Sequence, residues 1–394
     1  MTVGEIARQL APELISLRRH FHQYPELSFQ EFATGGKIRE VLEAQGVSVG
    51  VVAETGVVGL MKGVRERPVI AIRADIDALP IQEETGAEYA SRHPGVMHAC
   101  GHDVHTTCAL GAAMILARLR AEMPGTVKFI FQPAEEKNAG AKMLVEAGVL
   151  EDPQVDAIFG LHTQPALAAG TVGVKEGPLM AAVDSIFVDV SGQGGHGALP
   201  HRTVDPILAA CAVVVNLQSV VSRNVDPLEP AVVSFGTFHG GTANNVIPDK
   251  VELSGTVRTF DPALRERMPG MLRRVIENVC AGLGAKGELR YRPDLPAVSN
   301  PAPLASMARQ AVVEVAGEEA VVVPTPSMGG EDFAIYQQKV PGCFLWLGVG
   351  NTEKGIVHPW HSPRFDVDEN SIPLGAAVLA QVALLAMKSW KGGS

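Results

Sequence analysis

Residues 126–136 read TVKFIFQPAEE, a run of β-branched and aromatic side chains stopped by a proline that delivers two adjacent carboxylates, Glu135 and Glu136. The run reads as a strand over Thr126–Gln132. On one side His105–Glu122, rich in Ala and Leu, reads as a helix; on the other, Ala141–Ala147 reads as a helix and Ala157–Leu161 as a strand leading into His162. Farther upstream Val69–Arg73 is a strand that terminates in ADIDALP, residues 74–80, with Asp75 and Asp77 in its wake. Strand and helix alternate, which predicts a mostly parallel sheet with helices on both faces. Ligands of such sheets bind beyond the carboxyl ends of the strands, where Asp77, Glu135, Glu136 and His162 fall.

Working outward, Val3–Tyr24 and Gln30–Gln45 read as helices and Val57–Lys62 as a strand. After about Ala182 the pattern changes. Asp184–Ser191, Ala231–Phe238, Lys250–Thr259 and Lys286–Tyr291 read as strands, with helices at Pro206–Val221 and Pro262–Leu283, in the order β-α-β-β-α-β of a ferredoxin-like domain. The first pattern resumes near Ala297, with helices at Leu304–Ala316 and Asp332–Lys339 and a strand at Cys343–Val349. The fold class expected is therefore α/β: a discontinuous domain, residues 1–181 and 295–394, interrupted by a smaller α+β domain, residues 182–294.

The chain has 394 residues, 46% of them hydrophobic and 19% charged, enough to bury a core in each of two domains. A net charge of −10 without any Lys/Arg run argues against nucleic-acid partners and anionic membrane surfaces. The N-terminal stretch mixes charged and apolar residues and lacks the apolar centre of a signal peptide, which predicts a cytoplasmic protein. The most apolar segment, Ile372–Met387, is short of the ~20 residues of a membrane span and is expected to be a buried helix. Five cysteines, an odd number, disfavour a disulfide framework, and four of them are expected to be buried apolar residues.

The fifth, Cys100, lies in HACGHD, residues 98–103. Cys, His and carboxylate side chains bind borderline divalent metals. Gly101 lets Cys100 and His102 point from a tight turn toward one centre. A buried Cys beside a capping His explains that triplet equally well when it is taken alone. With Glu135, Glu136 and His162 at strand ends and His361 folding back from WHSP, residues 360–363, the pattern is that of a two-metal hydrolase site. Adjacent glutamates cannot face one way on a strand, so the turn after Gln132 must splay them. One can ligate metal while its neighbour takes the proton of the attacking water and passes it to the departing amine. We expect Glu135 to be that general base and Glu136 the ligand. Asp77 and Asp103 are candidates to orient ligand imidazoles through the second ring nitrogen, with turn capping as the competing role.

In the smaller domain Val251, Leu253 and Val257 alternate with Glu252, Ser254, Thr256 and Arg258, so Arg258 projects away from that domain's core. An exposed ion pair is the plain alternative to a binding role.

Together these residues resemble peptidase family M20, in its amidohydrolase branch of hippurate hydrolases, N-acyl-amino-acid amidohydrolases and auxin-conjugate hydrolases. The resemblance runs through RHFHQYPE (19–26), RADIDALP (73–80), MHACGHDVHTT (97–107), QPAEE (132–136), GGHGALPH (194–201), TANNVIP (242–248), GTVR (255–258), MGGEDF (328–333) and HSP (361–363). It implies a zinc-peptidase-like catalytic domain with an inserted lid and dimerisation domain. It also implies Cys100 as a bridging thiolate, His102 and His162 on one metal, Glu136 and His361 on the other, and Glu135 as base. Arg73 and Cys100 stand where the peptidase branches have His and a bridging Asp, which places the chain in the amidohydrolase branch. By ligand preference a thiolate favours zinc, with cobalt, manganese and nickel as alternatives.

The resemblance further implies that Asn245 and Arg258 clamp a substrate carboxylate. His196, in a Gly-rich turn, would reach the partner subunit's site and polarise the scissile carbonyl, hence a homodimer or tetramer. The backbone at Gly330 is a further candidate to hold the carboxylate, although a helix N-terminus explains that loop equally. A ligand set with about two negative charges against the four of two M²⁺ ions also favours an anionic substrate. The implied reaction is hydrolysis of N-acyl amino acids, with short peptides (a carboxypeptidase or dipeptidase) as the alternative and a non-catalytic binder of acyl amino acids as the rival from another class.

Overall fold

The structure, a computed structural model, describes residues 1–389. The chain divides into two compact units: Met1–Leu179, Ser299–Thr325 and the residues from Asp332 onward form the first, and Met180–Val298 with Pro326–Glu331 the second.

The first unit is built on an eight-stranded sheet in the order Ser48–Val52, Gly56–Lys62, Thr126–Gln132, Val69–Asp75, Ala157–Ala168, Gly342–Gly350, Val172–Gly173, Val321–Val322. Its four central strands, from Thr126–Gln132 to Gly342–Gly350, run parallel, and antiparallel strands flank them. Val69–Asp75 and Thr126–Gln132 are buried along their whole length, as a strand covered on both faces must be. Leu161 and Leu347 meet Gly375 of the helix Ser371–Ser389, whereas Gly160, one residue earlier, faces Phe333 and Phe344. That alternation puts helices on both faces.

Two elements differ from the sequence reading in ways that matter for the site. The helix expected from His105 starts at His102, because Gly101 sits in the left-handed region at φ 88° and ends the preceding loop there. The strand expected to stop before His162 runs on to Ala168, because Gly342–Gly350 keeps pairing with it through Gly350↔Ala168. Its other neighbour, Val69–Asp75, pairs only as far as Arg73↔Gly160. His162 is thus mid-strand, two residues past the last pair with the adjoining strand and level with that strand's final residue, Asp75.

In the second unit four antiparallel strands, ordered Ala231–Gly240, Lys250–Thr259, Ala182–Ser191, Lys286–Leu295, pack against the helices Pro206–Asn224 and Pro262–Gly282. Val251, Leu253 and Val257 are buried in its core. Among the five cysteines none is disulfide-bonded, and Cys211 is exposed, contrary to expectation, because it lies on the outer face of Pro206–Asn224. Two helices, Pro206–Asn224 and Ser371–Ser389, are long and apolar enough to cross a membrane by length and composition. The second, longer than the segment expected, is mostly buried in the core of the first unit.

Candidate metal centre

Three backbone turns in the left-handed region aim the candidate ligands of the first unit. Gly101, at φ 88°, lies between Cys100 and His102, and a Cβ there would stand 2.5 Å from Thr163 Oγ1, so only glycine fits. Ala134, at φ 54°, precedes the short 3₁₀ turn Glu135–Lys137 and breaks the strand, and both glutamates bring a carboxylate oxygen to one group with His102. His361 itself has φ 62°, with its N–H donated to Ala99 O at 2.8 Å. Non-glycine residues in this region carry strain, which persists where surrounding contacts enforce it. At Ala134 the enforcing contacts are clear: its N–H is held by the buried Glu31 carboxylate at 2.9 Å.

The side chains converge. Single donor atoms from Cys100, His102 and His162 lie within 4.8 Å of one another, as do those of Cys100, Glu136 and His361 and those of His102, Glu135 and Glu136. Cys100 Sγ stands 3.4 Å from His162 Nε2, and Glu136 Oε1 is 3.8 Å from His102 Nε2 and 3.5 Å from His361 Nε2. His162 Nδ1 donates to Thr163 O at 2.8 Å, which leaves Nε2 as the nitrogen with a lone pair toward Cys100. Asp77 organises both sides of the cluster. Its carbonyl and carboxylate accept from His102 Nδ1 at 2.9 and 3.2 Å, and its carboxylate also takes the N–H groups of Glu135 and Glu136, each at 3.1 Å.

These residues fit divalent cations. His102 Nε2 and Glu136 Oε1 are buried without a hydrogen-bond partner, a costly arrangement unless an ion sits between them. Burial, with Glu136 and Glu135 adding, pushes the Cys100 thiol well up, whereas a cation would lower it. His102 is held well above its ordinary value by Asp75, Asp77 and Cys100 although burial opposes this, so the pocket attracts positive charge. His105 also comes close, in a group with Asp75 and His102, but both its nitrogens are committed: Nδ1 donates to Asp75 Oδ1 at 2.6 Å, and Nε2 accepts the Thr163 N–H at 2.8 Å.

Asp103 is a correction. Its carboxylate takes Arg18 Nε at 2.8 Å and His22 Nδ1 at 2.7 Å, and so orients no imidazole of the ligand set. Burial acts to raise Asp103, but Arg18 and His22 hold it far below the usual carboxylate range. Arg18 also reaches Asp366 and Glu369, downstream of His361. Sequence reasoning missed Arg18, His22, Asp75, His105 and Thr163. His22, Asp75 and His105 stand inside the quoted motifs, but only the fold shows what each faces.

The remaining four candidates lie in the second unit, in two places. His196 and Asn245 share a small ribbon in which Gly195–His196 pairs with Val246–Ile247; both are exposed, and Asn245 O accepts the Gly197 N–H at 2.8 Å. His196 Nδ1 accepts the Ala198 N–H at 3.1 Å, so the neutral ring carries its proton on Nε2. Arg258 is half-buried and donates to Met328 O at 3.1 Å and Val257 O at 3.2 Å. The ion pair weighed as its alternative role is not formed among the described residues; the nearby Asp184 is taken by Arg265 instead. Gly330 lies against Val183, where a Cβ would come within 2.3 Å of Val183 Cγ2. Arg258 and Val183 are register partners, so Gly330 and Arg258 flank one position of the sheet.

Residues 71–385 match the model of peptidase family M20/M25/M40. An N-acetylcysteine deacetylase of Bacillus subtilis is 48% identical over 380 residues, covering 96% of this chain and 98% of the relative. Thermostable carboxypeptidase 1 of Saccharolobus solfataricus is 39% identical over 388 residues, covering 97% and 96%. A solved structure from Bacillus subtilis, described as a dinuclear metal binding peptidase of the M20 family, superposes with a TM-score of 0.87 at 44% identity, covering 97% of this chain and all of that one. The chain belongs to peptidase family M20/M25/M40. It is a metal-dependent amidohydrolase with the α/β catalytic fold expected from its sequence.

Proposed function

We propose that this enzyme hydrolyses the amide bond of N-acyl amino acids, releasing a carboxylic acid and a free amino acid, with two divalent ions per subunit. The observation that carries the reading is the pair of orphaned buried atoms, His102 Nε2 and Glu136 Oε1, inside a ring of donors completed by Cys100, His162 and His361. Cys100 would be shared between the ions, His102 and His162 would hold one, and Glu136 and His361 the other. When bound, the ions supply Lewis acidity and lower the pKa of water. Zinc is the ion we favour, from the thiolate and three imidazoles; manganese, cobalt and nickel are the alternatives.

Glu135, fixed by Asp77 through its N–H, takes the proton of the attacking water and returns it to the leaving amine. In the second unit, Arg258 offers a half-buried guanidinium without a carboxylate partner among the described residues, which suits the free carboxylate of an amino acid; Asn245 and the Gly330 backbone would complete that clamp. His196 presents Nε2–H as a donor for the scissile carbonyl. The second unit would act as the lid and dimerisation domain. Phe238 on its edge strand Ala231–Gly240 and Leu208 and Val215 of Pro206–Asn224 are exposed apolar side chains suited to a second copy of the chain. A cytoplasmic location accords with the unpaired cysteines.

The test is metal analysis coupled to a panel of N-acetyl and N-benzoyl amino acids, their amides, and free dipeptides. Faster turnover of the N-acyl acids is expected. Preference for dipeptides would favour a carboxypeptidase or dipeptidase role, in line with the Saccharolobus relative, and no turnover at all would leave a non-catalytic binder.

A further inference from the structure

Thr163 is fully buried, and each of its polar groups has a partner on a different part of the centre. Its hydroxyl donates to Cys100 O at 2.9 Å. Its carbonyl accepts His162 Nδ1 at 2.8 Å and Trp360 Nε1 at 3.0 Å, and Trp360 immediately precedes His361. Its N–H donates to His105 Nε2 at 2.8 Å. Because Nε2 accepts, the proton of His105 must be on Nδ1, and there it meets Asp75 Oδ1 at 2.6 Å. The other oxygen of Asp75 takes Arg73 at 2.8 Å. Gly101 closes on the same residue, with no room for a Cβ beside Thr163 Oγ1.

We propose that Thr163, braced by the chain His105–Asp75–Arg73, is the positioning residue that sets Cys100, His162 and His361 relative to one another before a cation arrives. These three come from a loop, a strand and a second loop widely separated in sequence. The connections to Cys100, His162 and His105 are single hydrogen bonds in a buried setting, where an unmet donor or acceptor carries the full desolvation penalty, and the one to Trp360 is part-buried. The brace also explains why His105, although surrounded by ligands, is not one of them: its acceptor is spent on Thr163. The inference rests on the two-ion reading above.

The experiment uses metal-free full-length chain titrated with Zn²⁺ against a chelating dye, and with Co²⁺ to follow the thiolate-to-cobalt absorption. His105→Asn keeps a partner for Asp75 but is too short to accept from Thr163. His105→Gln reaches the Thr163 N–H. We expect His105→Asn to weaken Zn²⁺ binding by ~10- to 100-fold, the usual effect of losing an outer partner of a ligand, and to shift the cobalt band. His105→Gln should recover most of both. Wild-type Zn²⁺ affinity in His105→Asn, or equal loss in the Asn and Gln variants, overturns the proposal. Should His105→Asn fail to fold, Thr163→Val against Thr163→Ser decides: loss in Val with recovery in Ser supports the brace, and unchanged binding in Val overturns it. Wild-type chain that binds no Zn²⁺ would instead sink the two-ion reading, so the two failures are distinguishable.

Discussion

Arg18 and Arg73 of the first unit and Arg258 of the second are treated in opposite ways. In the first unit Arg18 and Arg73 are fully buried and enclosed by carboxylates: Arg18 by Asp103, Asp366 and Glu369, Arg73 by Asp75 and Asp332. Their charges are consumed in holding neighbours still. In the second unit Arg258 is half-buried, donates to carbonyl and hydroxyl oxygens, and pairs with no anion among the described residues. Burial pulls its pKa down from the ordinary value, only partly opposed by Asp184 and Asp294. The contrast accords with the two roles proposed above. A metal centre needs donors fixed to tenths of an ångström, so it is backed by satisfied, buried networks. A surface that recognises a charged substrate must keep its charge unspent until that substrate arrives.

The contrast can be broken at several points. The largest effect is expected at Glu135, the one member of the cluster assigned to proton transfer. Glu135→Gln should retain bound metal while turnover falls by on the order of 10² to 10⁴. Metal loss, measured by elemental analysis, would show that Glu135 and Glu136 have exchanged roles.

Next is the stability of the buried network. Arg18→Met leaves the buried Asp103 with His22 as its one remaining side-chain partner among the described residues, while Glu369 keeps Arg19, and should lower unfolding free energy by about 3 to 5 kcal/mol in chemical denaturation. The pH dependence should change with it. Asp103 is depressed in the folded state, so its contribution is complete above the ordinary Asp value of 3.8 and drains away as pH falls below that. His22 acts in the other direction. Burial and Arg18 act to lower it, but Asp103 and Glu83 hold it above 6.5, so its contribution is complete below that pH and is lost as pH rises through the folded value. A variant without Arg18 should show a shallower acid limb in a melting-temperature profile. An unchanged limb would mean that Asp103 is not governed by this pair.

The smallest effect is expected at the unspent charge. Arg258→Ala should lower kcat/KM on an N-acyl amino acid by roughly 10- to 150-fold, equivalent to about 1.5 to 3 kcal/mol for a charge-assisted contact. It should barely distinguish the free acid from its amide, whereas the wild type should strongly prefer the acid. Equal rates on acid and amide in the wild type would remove the substrate-carboxylate role and leave a general amidase.

Much of this organisation was legible in the chain. The alternation around Thr126–Gln132 identified the parallel sheet, and the β-α-β-β-α-β order appears in the second unit with the strand positions expected. The side chains that converge in the candidate centre, Cys100, His102, Glu136, His162 and His361, could be singled out in the sequence because each residue type is chemically apt for metal. That the strand must end before the two glutamates followed from strand geometry, and Ala134 in the left-handed region is how the chain ends it.

What the chain by itself determined, then, is local: which segments extend, which coil, and which side chains have the chemistry of a metal ligand. Period and composition are properties of neighbouring residues. The tertiary structure alone decided partnership. It ran the strand past His162 because Gly342–Gly350, some 180 positions later, goes on pairing with it. It turned Asp103 toward Arg18 and His22, satisfied both nitrogens of His105, and left Arg258 without an anion among the described residues. Hydrogen bonds saturate, and a donor or acceptor is available to a metal or a substrate only if no other part of the fold has already claimed it.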